Sequence, residues 1–187
     1  KFKNKTILCV GELKRRKGYD LLIKVLLMLN KKYKQNFKLL LIGKSDNFEY
    51  KQELINFVKK NKLNHNVKFK HNVSESKINE FYKKSHIFVM LSRHIENHFE
   101  GFGIVYLEAL FYGLPIIVSN ESGAIDLQKI SKEIKIFRPA DISKISLFIY
   151  NLFKKEKKIN PLTYRNILYK HSKINKLKLN KFYNKLN

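Results

Sequence analysis

Short apolar runs alternate with longer amphipathic stretches along most of the chain. Thr6 to Val10, Phe37 to Ile42, Val67 to Phe69, His86 to Leu91, Pro115 to Ser119 and Ile134 to Phe137 are brief and nearly continuous in apolar residues, the pattern of strands buried on both faces. Between them the apolar period changes to that of a helix. Leu22, Val25, Leu26 and Leu29 mark one over Tyr19 to Lys31, and Leu54, Ile55 and Val58 mark another over Phe48 to Asn61. Ser74 is a suitable N-cap for a third, whose inner face is Ile78, Phe81 and Tyr82. Ile104 to Tyr112 reads as a helix stopped by Gly113, and Asp141 opens one that runs to about Phe153. A short helix is expected near Asp126, and after the charged break Lys154 to Asn160 two tail helices, Leu162 to His171 and Ser172 to Leu186.

Strand and helix thus alternate about six times, which predicts an α/β fold: a parallel sheet of about six strands with helices on both faces, plus the C-terminal tail helices. The division expected is one unit over 1–160 and a tail over 161–187. In such sheets ligands bind outside the carboxyl ends of the strands. The glycine-rich and charged loops Gly11–Gly18, Gly43–Asn47, Lys70–Val73, Ser92–Gly103 and Asn120–Gly123 each follow a predicted strand, so they should gather on one rim.

Composition adds limits. The 187 residues suit one domain, and 44% hydrophobic residues allow a real core. The formal charge of +24 is compatible with nucleic acid, an anionic membrane or acidic ligands. Lysine, asparagine and isoleucine are frequent throughout, however, so compositional drift explains the charge better than a specific nucleic-acid function, and no finger, RNA-recognition or basic-zipper motif is present. A single cysteine, Cys9, lies in an apolar run and reads as a buried small hydrophobe; a reducing compartment is expected. Lys1 to Lys5 lead straight into the first strand, so no signal peptide is read there, and the longest apolar stretches fall short of a membrane span. The expected location is the cytoplasm, at the inner face of the membrane if the tail lysines meet anionic lipid.

The densest candidate chemistry is Glu100 to Glu108, two carboxylates separated by seven residues. Gly101 and Gly103 permit a tight turn and close backbone approach to a ligand, and the helix that follows offers N–H groups to an anion. Eight residues of helix place Glu108 about 12 Å along and within roughly 80° of the face of Glu100. That is too far apart for paired glycosidase carboxylates, but it suits two groups that accept from hydroxyls at opposite ends of an elongated ligand. The loop from Gly11 to Gly18 brings Arg15, Arg16 and Lys17 to the start of a helix, where a phosphate is well held. It is neither a P-loop nor a G-x-G-x-x-G dinucleotide turn. His94 and His98 with Glu96 do not fit a zinc-protease pattern, since Ile95 and Asn97 stand where glutamate is needed; no metal site is assigned. The other histidines are scattered, with His71 alone on the predicted rim.

These residues resemble the C-terminal half of family-4 retaining glycosyltransferases of the two-Rossmann-domain (GT-B) type. The resemblance runs through Val10-Gly-Glu-Leu and Lys17-Gly18, Leu39-Leu-Leu-Ile-Gly43, Val67-Lys-Phe69 before Val73-Ser74, and Phe81-Tyr82 before Ile87-Phe-Val-Met-Leu-Ser92. It is densest from Glu100-Gly-Phe-Gly-Ile-Val-Tyr-Leu-Glu-Ala109 through Tyr112-Gly-Leu-Pro115 to Ser122-Gly-Ala-Ile-Asp126. It implies a Rossmann-like domain that binds a nucleotide-diphosphate sugar as co-substrate, without a cofactor or metal. By that resemblance the catalytic residues are Lys17, paired with the diphosphate, and Glu100, orienting the sugar. The donor-binding set is Gly11, Arg15, Arg16, Lys17, His71, Glu100, Gly101, Phe102, Gly103, Ile104 and Glu108, with Glu108 on the ribose and the rim after Phe69 toward the base.

Three departures from the family pattern stand out. Glu12 occupies a position where the family often has a diphosphate-binding arginine, a role that Arg15 or Arg16 could assume. Ser122-Gly123 replaces a glycine pair, with Asp126 for glutamate. The N-terminal half, which would carry the acceptor site and the catalytic histidine, is missing. The expectation is therefore the donor half of a retaining glycosyltransferase, completed by an N-terminal domain or a partner subunit and acting on a glycan or lipid-linked acceptor. The competing readings are a non-catalytic nucleotide-sugar-binding module, for which Glu12 argues, and a basic nucleic-acid-binding protein, for which only the charge argues.

Overall fold

The computed structural model describes residues 5–45, 47–95, 103–129 and 134–154. Six strands, β1 (Thr6–Val10), β2 (Lys38–Ile42), β3 (Val67–Lys70), β4 (Ile87–Met90), β5 (Ile116–Ser119) and β6 (Ile134–Phe137), form one sheet in the order β3-β2-β1-β4-β5-β6. Every neighbouring pair is parallel, with Thr6 opposite Lys38, Ile7 opposite Ile87, Leu39 opposite Val67, Phe88 opposite Ile116 and Ile116 opposite Ile134. The predicted α/β parallel sheet is present, and its order is that of the doubly wound Rossmann sheet. The chain reverses its direction of progress between β1 and β4, and the crevice that opens there is where such sheets bind ligands.

The continuous apolar runs form strands because both faces of the sheet are covered. Ile7, Leu8 and Cys9 in β1 and Ile87 to Met90 in β4 are wholly buried. Five helices cover them: α1 (Tyr19–Lys31), α2 (Phe48–Lys60), α3 (Glu75–Lys84), α4 (Ile104–Phe111) and α5 (Ile142–Lys154). α1 packs against α5 and α2, while Tyr82 of α3 stacks on Tyr112, the residue that caps the end of α4. α1 is the most deeply set, with Leu21, Leu22, Ile23, Val25, Leu26 and Leu29 all buried. Each such side chain contributes about 1.5–3 kcal/mol on leaving water.

Element boundaries follow the apolar periods to within a residue or so. The basic loop differs: Arg15–Lys17 forms a 3₁₀ turn there, which no hydrophobic period announces. The short helix expected near Asp126 is the 3₁₀ segment Gly123–Lys129. Ser74 stands at the N-cap position of α3, but its hydroxyl bonds Ser76 and not a helix N–H. Asn47, read only as loop, is a working cap, its side chain accepting from Tyr50 N at 2.8 Å. The tail helices and the boundary at 160 lie outside the described residues. No helix among the described residues is long and apolar enough to cross a membrane.

Candidate functional site

The carboxyl ends of all six strands are tied into one rim by bonds between successive loops. Gly11 N–H donates to Ile42 O at 2.8 Å, Leu13 N–H to Lys44 O at 2.8 Å, and Gly43 N–H to Lys70 O at 3.0 Å. Across the switch point, Arg93 N–H donates to Arg16 O at 2.8 Å. His94 N–H donates to the Glu121 carboxylate at 2.8 Å, and Asn120 N–H to Phe137 O at 2.9 Å. The expected convergence of loops is thus a hydrogen-bonded structure.

The loop after β1 supplies the cations. Gly11 O accepts from Tyr19 Oη at 2.6 Å, which closes the loop onto the start of α1. Gly18 ends the 3₁₀ turn in the left-handed conformation (φ 70°), and a Cβ placed on it would lie 2.0 Å from Leu91 O. Only glycine suits that position, so the turn sits directly on the end of β4. Lys17 is half-buried, its Cε 3.8 Å from where a Gly11 Cβ would stand. Burial, then the charge of Arg16, lowers its ammonium from the usual lysine range to about 8. Beneath it, burial pushes the Cys9 thiol up to about 12, with Lys17 pulling the other way. A half-buried cation at the rim, with a lowered ammonium, is a candidate group for receiving an anion.

The other two basic residues differ in role. Arg15 pairs with Glu53 on α2, and its guanidinium lies over the Tyr50 ring, 4.8 Å from the centroid. Arg16 is held through its carbonyl by the loop after β4. Glu12 forms an exposed ion pair with Lys14 at 2.6 Å, and that hydrogen bond holds its carboxyl below the usual range. The acidic departure at Glu12 is therefore partly neutralised by its own loop.

His71 follows β3, and its Nδ1 lies 2.8 Å from Gly43 O. A carbonyl only accepts, so Nδ1 carries the proton, which leaves Nε2 of the neutral ring as an acceptor. Gly103 precedes α4 with φ 64°, and Ile104, the first helical residue, is 53% exposed. Glu108 lies on the second turn of α4 and accepts from the buried Tyr82 Oη at 2.8 Å. Burial first, then Glu108, holds the Tyr82 phenol protonated well above its ordinary range, so it remains a donor. Glu100, Gly101 and Phe102 lie outside the described residues, as do Glu96 and His98. Among the described residues no three His, Cys, Asp or Glu side chains form a metal-binding group.

The sequence reading missed the residues that support this set. Tyr82 was legible only as part of an apolar face; its hydroxyl orients Glu108. Arg93 donates to Asp20 through both terminal nitrogens, at 3.1 and 3.0 Å, and Asp20 also accepts from Tyr50 Oη at 3.2 Å. These partners are 73 and 30 residues apart, which no local pattern reveals.

The chain is similar to known proteins in sequence and in fold. An uncharacterized glycosyltransferase of Haemophilus influenzae is 34% identical over 125 residues, covering 67% of this chain and 32% of that protein. Mannosylfructose-phosphate synthase of Agrobacterium fabrum is 26% identical over 160 residues, 83% of this chain and 34% of the enzyme. The chain thus spans about a third of the length of the curated relatives it matches. The C-terminal domain of a group 1 glycosyl transferase, LpcC, from Francisella tularensis superposes with a TM-score of 0.74 at 22% identity, covering 89% of this chain and 85% of that one. Anabaena HepE in complex with UDP superposes at 0.71 and 19% identity, over 91% of this chain and 44% of that one. The fold is that of the C-terminal domain of a GT-B glycosyltransferase, and with residues 1–165 matching the profile of glycosyl transferases group 1, the chain belongs to that family.

Proposed function

We propose that this chain is the donor-binding half of a retaining glycosyltransferase that moves a sugar from a nucleoside diphosphate to an acceptor. The observation that carries the reading is the half-buried Lys17, seated at the switch point between β1 and β4 with its ammonium lowered to about 8. Solved HepE holds UDP within the same fold, which supports a nucleoside diphosphate as the class of ligand.

In this reading Lys17, with Arg16, receives the diphosphate. As the bond from the anomeric carbon to the phosphate oxygen breaks, its electron pair leaves with the diphosphate. A cation already in place lowers the barrier because it need not reorganise. The N–H groups at the start of α4 add to that field. Glu108, aimed by Tyr82, takes the ribose hydroxyls, and Glu100 orients the sugar. His71 stands toward the base. The acceptor is a glycan or a lipid-linked saccharide bound by an N-terminal domain or partner subunit, and the enzyme's main task is to position the two reactants. No cofactor or metal is required of the described residues.

Calorimetric titration of the chain with UDP, GDP and ADP, and with their sugar conjugates, tests the donor site. One base should bind well, and both Lys17→Ala and Glu108→Ala should lose about tenfold or more in affinity. Retained affinity in both variants would sink the assignment. Binding without transfer, after an N-terminal domain is supplied, would favour the non-catalytic module for which Glu12 argues.

A further inference from the structure

We propose that Arg93 is a positioning residue: together with Asp20 it locks the Arg15–Lys17 turn to the carboxyl end of β4, and so sets where Lys17 presents its charge. The lock rests on geometry given above. Its consequence for a diphosphate rests on the donor-site reading.

The sheet parts at this place. The ladder between β1 and β4 joins Ile7 to Ile87 and Leu8 to Phe88, and past it the loops after the two strands meet across the switch point. Past that ladder, contacts between the two loops set the distance between them: Gly18 is seated against Leu91 O, and Arg93 bonds across. Arg93 does this twice. Its main-chain N–H donates to Arg16 O at 2.8 Å. Its guanidinium donates to both carboxylate oxygens of Asp20, in the first turn of α1, at 3.0 and 3.1 Å. One residue therefore grips the turn from below and the helix that follows it. The two side chains are 27% and 28% exposed, so the pair is shielded from much of the solvent screening that weakens surface pairs. Tyr50 Oη supplies a further bond to Asp20 from α2, and the same Tyr50 ring carries Arg15. The turn is thus framed by α1, α2 and the loop after β4.

The pair also has an electrostatic effect. Asp20 lies three residues after Lys17. Without Arg93 its carboxylate would compete for Lys17 and Arg16 and would repel an incoming anion. With Arg93 the pair is neutral, and Asp20 adds no net negative charge beside the turn. A lysine cannot replace this arginine, because an ammonium lacks the planar fork that spans both carboxylate oxygens.

Two measurements on the chain separate positioning from plain structural support. The first is ligand-independent: the pH dependence of Lys17 acetylation by acetic anhydride, read by peptide mass spectrometry. Wild type should show a midpoint near 8. Arg93→Ala and Arg93→Lys should both move it upward, as the turn opens to water and Asp20 comes within reach of Lys17. The second is the affinity for UDP or GDP relative to the corresponding monophosphate. In both variants that ratio should fall about tenfold, with monophosphate affinity changed less than about twofold. Asp20→Ala combined with Arg93→Ala restores charge balance but not the lock, so the ratio should stay low. A double variant that recovers the wild-type ratio would overturn positioning in favour of charge alone. A lower thermal midpoint with both the Lys17 midpoint and the ratio unchanged would overturn the proposal altogether. If wild type binds no diphosphate, the donor-site reading fails, and the acetylation midpoint by itself upholds or overturns the lock; Arg93→Lys, which keeps the charge, serves if the alanine variant does not fold.

Discussion

In the proposed reading Lys17 receives the diphosphate, and its protonation gives the sharpest residue-scale test. Its folded value, about 8, lies below the ordinary 10.5, so between those limits the unfolded chain binds more protons than the folded one. Stability therefore rises with pH through that window and is lost as pH falls from 10.5 to 8. Lys17→Met should remove this dependence and stabilise the fold at pH 7 by about 1 kcal/mol, once screening of a half-exposed ammonium is allowed for. Binding runs the opposite way: UDP or GDP affinity should decline above about pH 8 in wild type and stay flatter in Lys17→Arg. Urea melts and titrations at pH 7, 8 and 9 check both. At Glu108, Tyr82→Phe removes the hydroxyl that aims the carboxylate. Such a bond to a charged acceptor contributes about 1.5–3 kcal/mol. Chemical denaturation should show a loss of that order, and a weaker affinity for nucleosides should accompany it if Glu108 meets the ribose.

At the scale of elements, the loops do the work and the strands hold them. The 3₁₀ turn has no apolar period because its geometry is imposed by Gly18, Leu91 and Arg93. Gly18→Ala is the direct probe. A left-handed alanine costs roughly 1–2 kcal/mol by itself. The added Cβ would also stand 2.0 Å from Leu91 O, so β1 and β4 must move apart at the rim. The urea midpoint should fall by more than the backbone strain predicts, and diphosphate affinity should fall with it. An unchanged midpoint would mean that the turn does not rest on β4. The helices, by contrast, were legible from their periods: Leu22, Val25, Leu26 and Leu29 recur on the face of α1 that is buried.

Over the whole molecule, the charge of +24 comes from lysine spread along the whole chain. Among the described residues, local pairs such as Glu12 with Lys14 and Glu80 with Lys77 and Lys84 neutralise some of the cations. A field of this size attracts any polyanion, so weak duplex DNA binding is expected. It should be non-specific and lose about a thousandfold or more in affinity between 50 and 200 mM salt. Nucleoside diphosphate binding, held by a few cations, should weaken far less over the same range. Salt-resistant, sequence-specific DNA binding would overturn the donor-site reading.

The alternation of apolar runs and amphipathic stretches determined the α/β parallel sheet, its six strands and the side on which the loops emerge. Burial on both faces demands continuous hydrophobicity, and that is a local signal. The order Gly11–Lys17–Gly18, then Gly103–Glu108, likewise carried the family, since each motif is contiguous. Tertiary structure alone decided which strands are neighbours, and with them that Arg93 meets Arg16 and Asp20, that Tyr82 aims Glu108, and that Lys17 is buried enough to fall to about 8. Those contacts join residues 26 to 77 positions apart, between elements whose own patterns are satisfied without them. A side chain's desolvation depends on everything packed around it, and no window of sequence contains that.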